Sequence, residues 1–182
     1  METRHRKLRT IDLVYIALCA ALMAVCSWIS IPATVEFTMQ TFAVFAALGL
    51  LGGRRALAAV CVYLLLGAVG LPVFAGFSGG PGALLGSTGG YLVGFAAMAL
   101  VYWLMTALLG GGRLVRVAAM TAGLAVCYAF GTAWFVFVYT RQTGAVGWLT
   151  ALGWCVFPFV IPDLIKMALA LIVTDRLAKH IR

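Results

Sequence analysis

Long apolar runs recur from one end of this chain to the other, divided by short connections that are either basic or rich in glycine. Between Thr10 and Ile31, for example, Asp12 is the only charged residue. A bilayer core about 30 Å thick is crossed by roughly 20 predominantly apolar residues in a helix, and such a helix satisfies its backbone polar groups internally. With 64% hydrophobic and 10% charged residues and a mean hydropathy of +1.09, the chain reads as an all-α integral membrane protein. Its length accommodates one membrane domain over residues 1–182 and no separate soluble domain. Six transmembrane helices are predicted, at about 10–31, 37–52, 55–70, 89–110, 115–140 and 157–178. The second and third are short, which suits helices covered by a compact bundle. No internal repeat is visible, which argues against an inverted-repeat transporter.

The formal net charge is +8, yet the placement of the bases points to topology rather than to nucleic acid. Arg4, Arg6, Lys7 and Arg9 precede the first run; Arg54 and Arg55, then Arg113 and Arg116, mark alternate connections; Arg176, Lys179 and Arg182 close the chain. The remaining connections hold only Arg141, and the last base is Lys166. Both termini are therefore expected in the cytoplasm, in a multi-pass protein of the plasma membrane. The first run exceeds the roughly 7 to 15 residues of a signal-peptide core and is expected to remain as a helix. Trp28, Tyr91, Trp134, Tyr139, Trp148 and Trp154 fall near the outer helix ends, as an interfacial belt requires. Cys19, Cys26, Cys61, Cys127 and Cys155 show no ligand spacing and read as small packing residues.

Two charges interrupt the last run, "FPFVIPDLIKMALALIVTDR". Asp163 and Lys166 stand at i and i+3, about 60° apart around a helix, and so share a face. Each charge near mid-membrane costs roughly 2.5 to 3.5 kcal/mol on insertion scales, so the pair is a candidate site. One reading is a salt bridge that only fixes the last helix in the bundle. The other is a water-accessible cavity near the outer surface, where aspartate accepts from N–H groups and lysine donates to oxygens of a small polar ligand. Pro162 is either the first residue of that helix, with free N–H groups facing the cavity, or a kink.

The connection "GLPVFAGFSGGPGALLGSTGGYLVGF" is too apolar, through Leu71, Val73, Phe74, Phe77, Leu84 and Leu85, to be a solvated linker. Its glycines suit a backbone that approaches a ligand closely at membrane depth. It contains "GFSG", a pattern of intramembrane serine proteases, but the only histidines, His5 and His180, lie in the tails on the opposite side. No phosphate-binding GxxxxGK[ST] occurs, and apart from Asp163 and Lys166 the only acid away from the inner helix ends is Glu36, in an outer loop. No catalytic residue, metal or cofactor is expected, and active transport would draw its energy from a partner. On the first helix, Ala17 with Ala21 and Ala20 with Ala24 repeat at four-residue spacing. That small-residue strip serves either internal packing or a partner subunit.

Three segments together resemble the BioY family, the biotin-binding S components of energy-coupling factor (ECF) transporters: "QTFAVFAALGLLGGRRALAAVCVYLLLGAVGLPVFAG", "GGPGALLGSTGGYLVGF" and "PDLIK". The resemblance covers nearly the whole chain. It implies a six-helix S component that captures biotin from outside and docks through helix one onto a transmembrane coupling subunit driven by two cytoplasmic ATPases. It also implies that Asp163 and Lys166 contact the vitamin, with Ser78, Tyr91 and Gln40 beside the site; Phe74 and Tyr91 would cover the apolar ring. The chain departs from the family where Ile161 and Pro162 precede Asp163 in place of proline and glycine, and where Ser87 replaces a proline. An S component for another small vitamin is the neighbouring alternative.

Overall fold

The computed structural model describes residues 9–31 and 35–181, with side chains to Leu177. The basic residues Arg4, Arg6, Lys7 and Arg182, with His5, lie outside the described residues, as do the side chains of Lys179 and His180. Among the described residues the regular structure is helical apart from one two-stranded hairpin. In chain order come α1 (Thr10–Trp28), β1 (Ser30–Ile31), β2 (Phe37–Thr38), α2 (Gln40–Leu51), α3 (Gly53–Ala68), α4 (Pro81–Leu85), α5 (Gly89–Leu109), α6 (Arg113–Gln142), α7 (Trp148–Cys155) and α8 (Phe157–Ile181). Thr10–Trp28, Gly89–Leu109, Arg113–Gln142 and Trp148–Leu177 are each long and apolar enough to cross a membrane. α2, with 12 residues, spans only about 18 Å at 1.5 Å per residue.

Helices occupy all six stretches expected from the sequence, with three differences. The first connection carries an antiparallel hairpin, Ser30 opposite Thr38 and Ile31 opposite Phe37. The glycine-rich connection contains a 3-10 turn at Ala75–Phe77 and the five-residue α4, opened by Pro81, whose missing N–H costs nothing in the first helical turn. The third is α7, which lies between expected stretches; α8, by contrast, begins where the sequence placed it, and of the two readings of Pro162 the helix start is overturned. α8 starts at Phe157, with Phe159 and Val160 both donating to the Val156 carbonyl, and Pro162 lies inside the helix. "CVFPFV" is thus divided between the end of α7 and the first turn of α8. Asp163 and Lys166 fall in its second and third turns, and the N–H groups of a helix start at Pro162 do not exist to face a ligand.

Beyond Gln40 and Thr41 in its first turn, α2 is apolar on every side, and Ala43 to Leu48 are all buried. A helix without a polar face belongs in a core; α2 packs against α1, α3, α5 and α8. The largest helix contact joins α5 and α6. It is built by glycines facing large groups: Gly90 lies under Trp134, Gly94 under Cys127, Gly123 under Met98 and Gly131 under Tyr91. Small residues four apart let two helices approach closely in a bilayer, where burial of apolar surface supplies little drive. α8 packs on α2 and α7. Arg55 pairs with Asp12 at 3.2 Å, joining α3 to the start of α1, and Arg116 pairs with Asp175 at 2.8 Å, joining the start of α6 to the end of α8. The basic helix ends therefore gather at one end of the bundle. Trp28 and Trp134 lie at the other, where Trp28 donates to the Pro72 carbonyl at 2.8 Å and Trp134 to that of Gly86 at 2.9 Å, whereas Trp103 packs against Gly53 at the basic end.

Candidate ligand-binding site

At the end away from the ion pairs, the hairpin, the glycine-rich connection and helices α2, α5, α6, α7 and α8 enclose a cavity of about 570 Å³. That volume lies within the range of about 300 to 1,000 Å³ typical of small-molecule sites. Gln40, Thr41, Phe74, Ser78, Tyr91, Tyr128, Asp163 and Lys166 all line it, so the six site residues expected from the sequence share one chamber. Thr38, Thr41 and Tyr128 were not singled out from the sequence.

Asp163 and Lys166 are 2% and 4% exposed, and each is tied to several elements. Asp163 Oδ1 accepts from Lys166 Nζ at 2.9 Å and from the Thr41 hydroxyl at 2.8 Å, while Oδ2 accepts from the Tyr128 hydroxyl at 2.6 Å. Lys166 Nζ also donates to the Thr38 carbonyl at 2.7 Å and to Thr41 Oγ1 at 3.2 Å. Its ammonium lies 4.1 Å from the Phe37 ring centroid, a cation–π contact. An ammonium has three protons, and all three have acceptors here. Oδ2 of the carboxylate has one partner and retains acceptor capacity toward the cavity. The result is a polar clasp: the hairpin, α2 and α6 all converge on two side chains of α8.

The other expected residues divide between wall and frame. Phe74 is buried, seated on Gly67, where a Cβ would overlap its ring, and meets Tyr63 edge-on with centroids 5.4 Å apart. Gln40 Nε2 donates to the Tyr63 hydroxyl at 2.7 Å, and that hydroxyl donates to the Val73 carbonyl at 3.1 Å. The same carbonyl accepts from Ser27 of α1 at 2.6 Å, so Gln40 braces the wall through a chain reaching α1. Tyr91 shares a hydrogen bond of 2.8 Å with Thr132 and lies over Gly131. Ser78 is exposed, and its hydroxyl donates to Ala75 at 2.7 Å, closing the turn that contains Gly76. That turn places Phe77 at φ 56°, a left-handed conformation uncommon outside glycine; its ring stacks on Trp28 with centroids 5.1 Å apart. Cys155 also lines the cavity, and no cluster of metal-ligating side chains occurs among the described residues.

On α1, the alanines do not act as one strip. Ala20 and Ala24 are buried in the core, whereas Ala17 and Ala21 are exposed beside Leu18, Leu22 and Val25.

The model of the BioY family matches residues 1–182. Over 169 residues the chain is 41% identical to the biotin transporter BioY of Thermotoga maritima, covering 92% of this chain and 96% of that one. Over 164 residues it is 38% identical to the probable biotin transporter BioY of Pyrococcus horikoshii, covering 89% and 93%. Its fold is similar to that of a solved S-component for biotin from an ECF-type ABC transporter, with a TM-score of 0.82, 24% identity, and coverage of 98% and 95%.

Proposed function

The chain belongs to the BioY family, and from that membership and the geometry of the cavity we propose that it is the biotin-binding S component of an ATP-driven vitamin uptake system. In this reading it lies in the plasma membrane with six membrane helices and both termini in the cytoplasm. The end bearing Arg55 and Arg116 faces inward, and the cavity opens outward. The protein captures biotin and docks on a transmembrane coupling subunit that works with two cytoplasmic ATPases.

The observation that carries this reading is the chamber with a buried carboxylate in its wall. Biotin offers two ureido N–H groups, a ureido carbonyl, an apolar bicycle and a carboxylate tail. Asp163 Oδ2 is suited to accept a ureido N–H, because Tyr128 leaves part of its acceptor capacity open. Lys166 holds the Asp163 carboxylate in place, and any contact it makes to the ureido carbonyl shares a proton now given to Thr38 or Thr41. Phe74 and Tyr91 flank the apolar rings, while Ser78 and Gln40 fix the walls around them. A charge-assisted hydrogen bond of this kind is roughly twice as strong as a neutral one.

The complete use of the Lys166 protons favours a second reading, a salt bridge whose whole role is structural. Mass spectrometry of small molecules released from the purified, denatured protein separates the two. Biotin in the released fraction, with saturable rebinding by calorimetry, supports the transport component. Failure to bind biotin at any concentration, with a stable fold, supports the structural bridge, and binding of another vitamin across a ligand panel replaces the substrate.

A further inference from the structure

The charges around the cavity constrain how a ligand's acidic end can be held. Among the described residues that line it, only Glu36, Asp163 and Lys166 are charged. Lys166 is fully engaged with Thr38, Thr41 and Asp163. Glu36, exposed in the outer connection, is a further negative charge. Arg141, the basic residue of the outer connections, lies over the Phe137 ring at 4.0 Å and does not line the chamber. Pro32, Ala33 and Thr34 bring no charge to the first connection.

A ligand carboxylate drawn fully into this chamber would lose its hydration without meeting a free cation, beside a site that already carries a net negative charge. The groups left to meet a tail are neutral donors, including the Ser87 and Thr88 hydroxyls at the start of α5. Such donors serve the carbonyl oxygen of an amide as well as they serve a carboxylate.

We infer that the site recognises the bicyclic urea and does not read the tail as a charge, so that ligands whose tail ends in a neutral amide bind about as tightly as the free acid. This inference rests on the reading of the cavity as a biotin site. The substrate class then widens from the free vitamin to its amide-linked forms, within the limit set by the bulk of the amine.

The test uses the full chain in detergent or nanodiscs, with biotin and its primary amide titrated separately by calorimetry at low and high salt. The expected result is a pair of Kd values within about 5-fold of each other. Both should respond alike when ionic strength rises from about 20 to about 500 mM, because an ion pair to the tail would be screened for the acid alone. A larger loss for the amide, or a salt dependence confined to the acid, overturns the inference and leaves the biotin site standing. Absence of binding by both compounds overturns the biotin site itself, and the inference with it.

Discussion

The two oxygens of Asp163 are unequal. Oδ1 is saturated by Thr41 and Lys166, whereas Oδ2 is held only by Tyr128 and keeps room for one more donor. Asp163→Asn replaces an acceptor pair by a mixed amide and is expected to weaken biotin binding by about 1 to 3 kcal/mol, measured by calorimetry. Breaking a buried pair leaves an uncompensated charge, so Lys166→Met should destabilise the fold by about 3 to 5 kcal/mol, seen as a drop in unfolding temperature. The double variant Asp163→Leu with Lys166→Met removes both charges. It is expected to recover much of that stability without recovering the biotin binding of the unsubstituted chain, whereas a bridge that only holds the fold would let the restabilised variant bind as before. The pair itself was legible in the sequence because intramembrane charges are rare and costly. Thr41 was not, since a hydroxyl at a helix start has many ordinary uses. Tyr128 did leave a trace: it stands within "AVCYAFG", away from the helix ends where belt aromatics gather.

Among the elements, the long helices announce themselves through apolar length and basic ends, and the structure places a helix in each of those stretches. The short ones do not. α4 and α7 have five and eight residues, too few for a periodic pattern; α7 packs on α6 and α8 through the buried Ala151 and Cys155, and α4 rests on α5 with no residue buried. Pro81 was the available signal for α4. The start of α8 at Phe157 was legible as the onset of the last apolar run, whereas Pro162 was compatible with either a helix start or a kink. The glycine-rich connection owes its shape to close contacts rather than looseness, and Gly67 is the clearest case. Gly67→Ala would drive a methyl group into the Phe74 ring and push it toward the cavity. Overpacking of this kind is expected to cost about 1 to 3 kcal/mol of stability and to weaken biotin binding; thermal unfolding with and without biotin checks both effects.

For the whole molecule, the division of the α1 alanines makes the proposed docking testable apart from ligand binding. Ala17→Trp or Ala21→Trp enlarges an exposed face and is expected to block co-purification with the coupling subunit while leaving the biotin Kd within about 2-fold, since exposed changes rarely propagate. Ala20→Trp, by contrast, intrudes on the core and should lower stability outright. A clean loss of biotin binding in Ala17→Trp would contradict the assignment of that face.

The closed clasp also has an electrical consequence. To the field across the bilayer, Lys166 and Asp163 are a short dipole with charges 2.9 Å apart rather than a free charge. A full charge crossing the membrane feels about 2.3 kcal/mol per 100 mV. The pair spans about a tenth of a 30 Å core, so even a complete reversal of its orientation couples to the potential by only a few tenths of a kcal/mol. Movement of the clasp should therefore add almost no voltage dependence to capture of ligand in sealed vesicles, beyond any that the ligand's own charge brings. A cell would lose energy from its membrane without the clasp losing its hold on the vitamin.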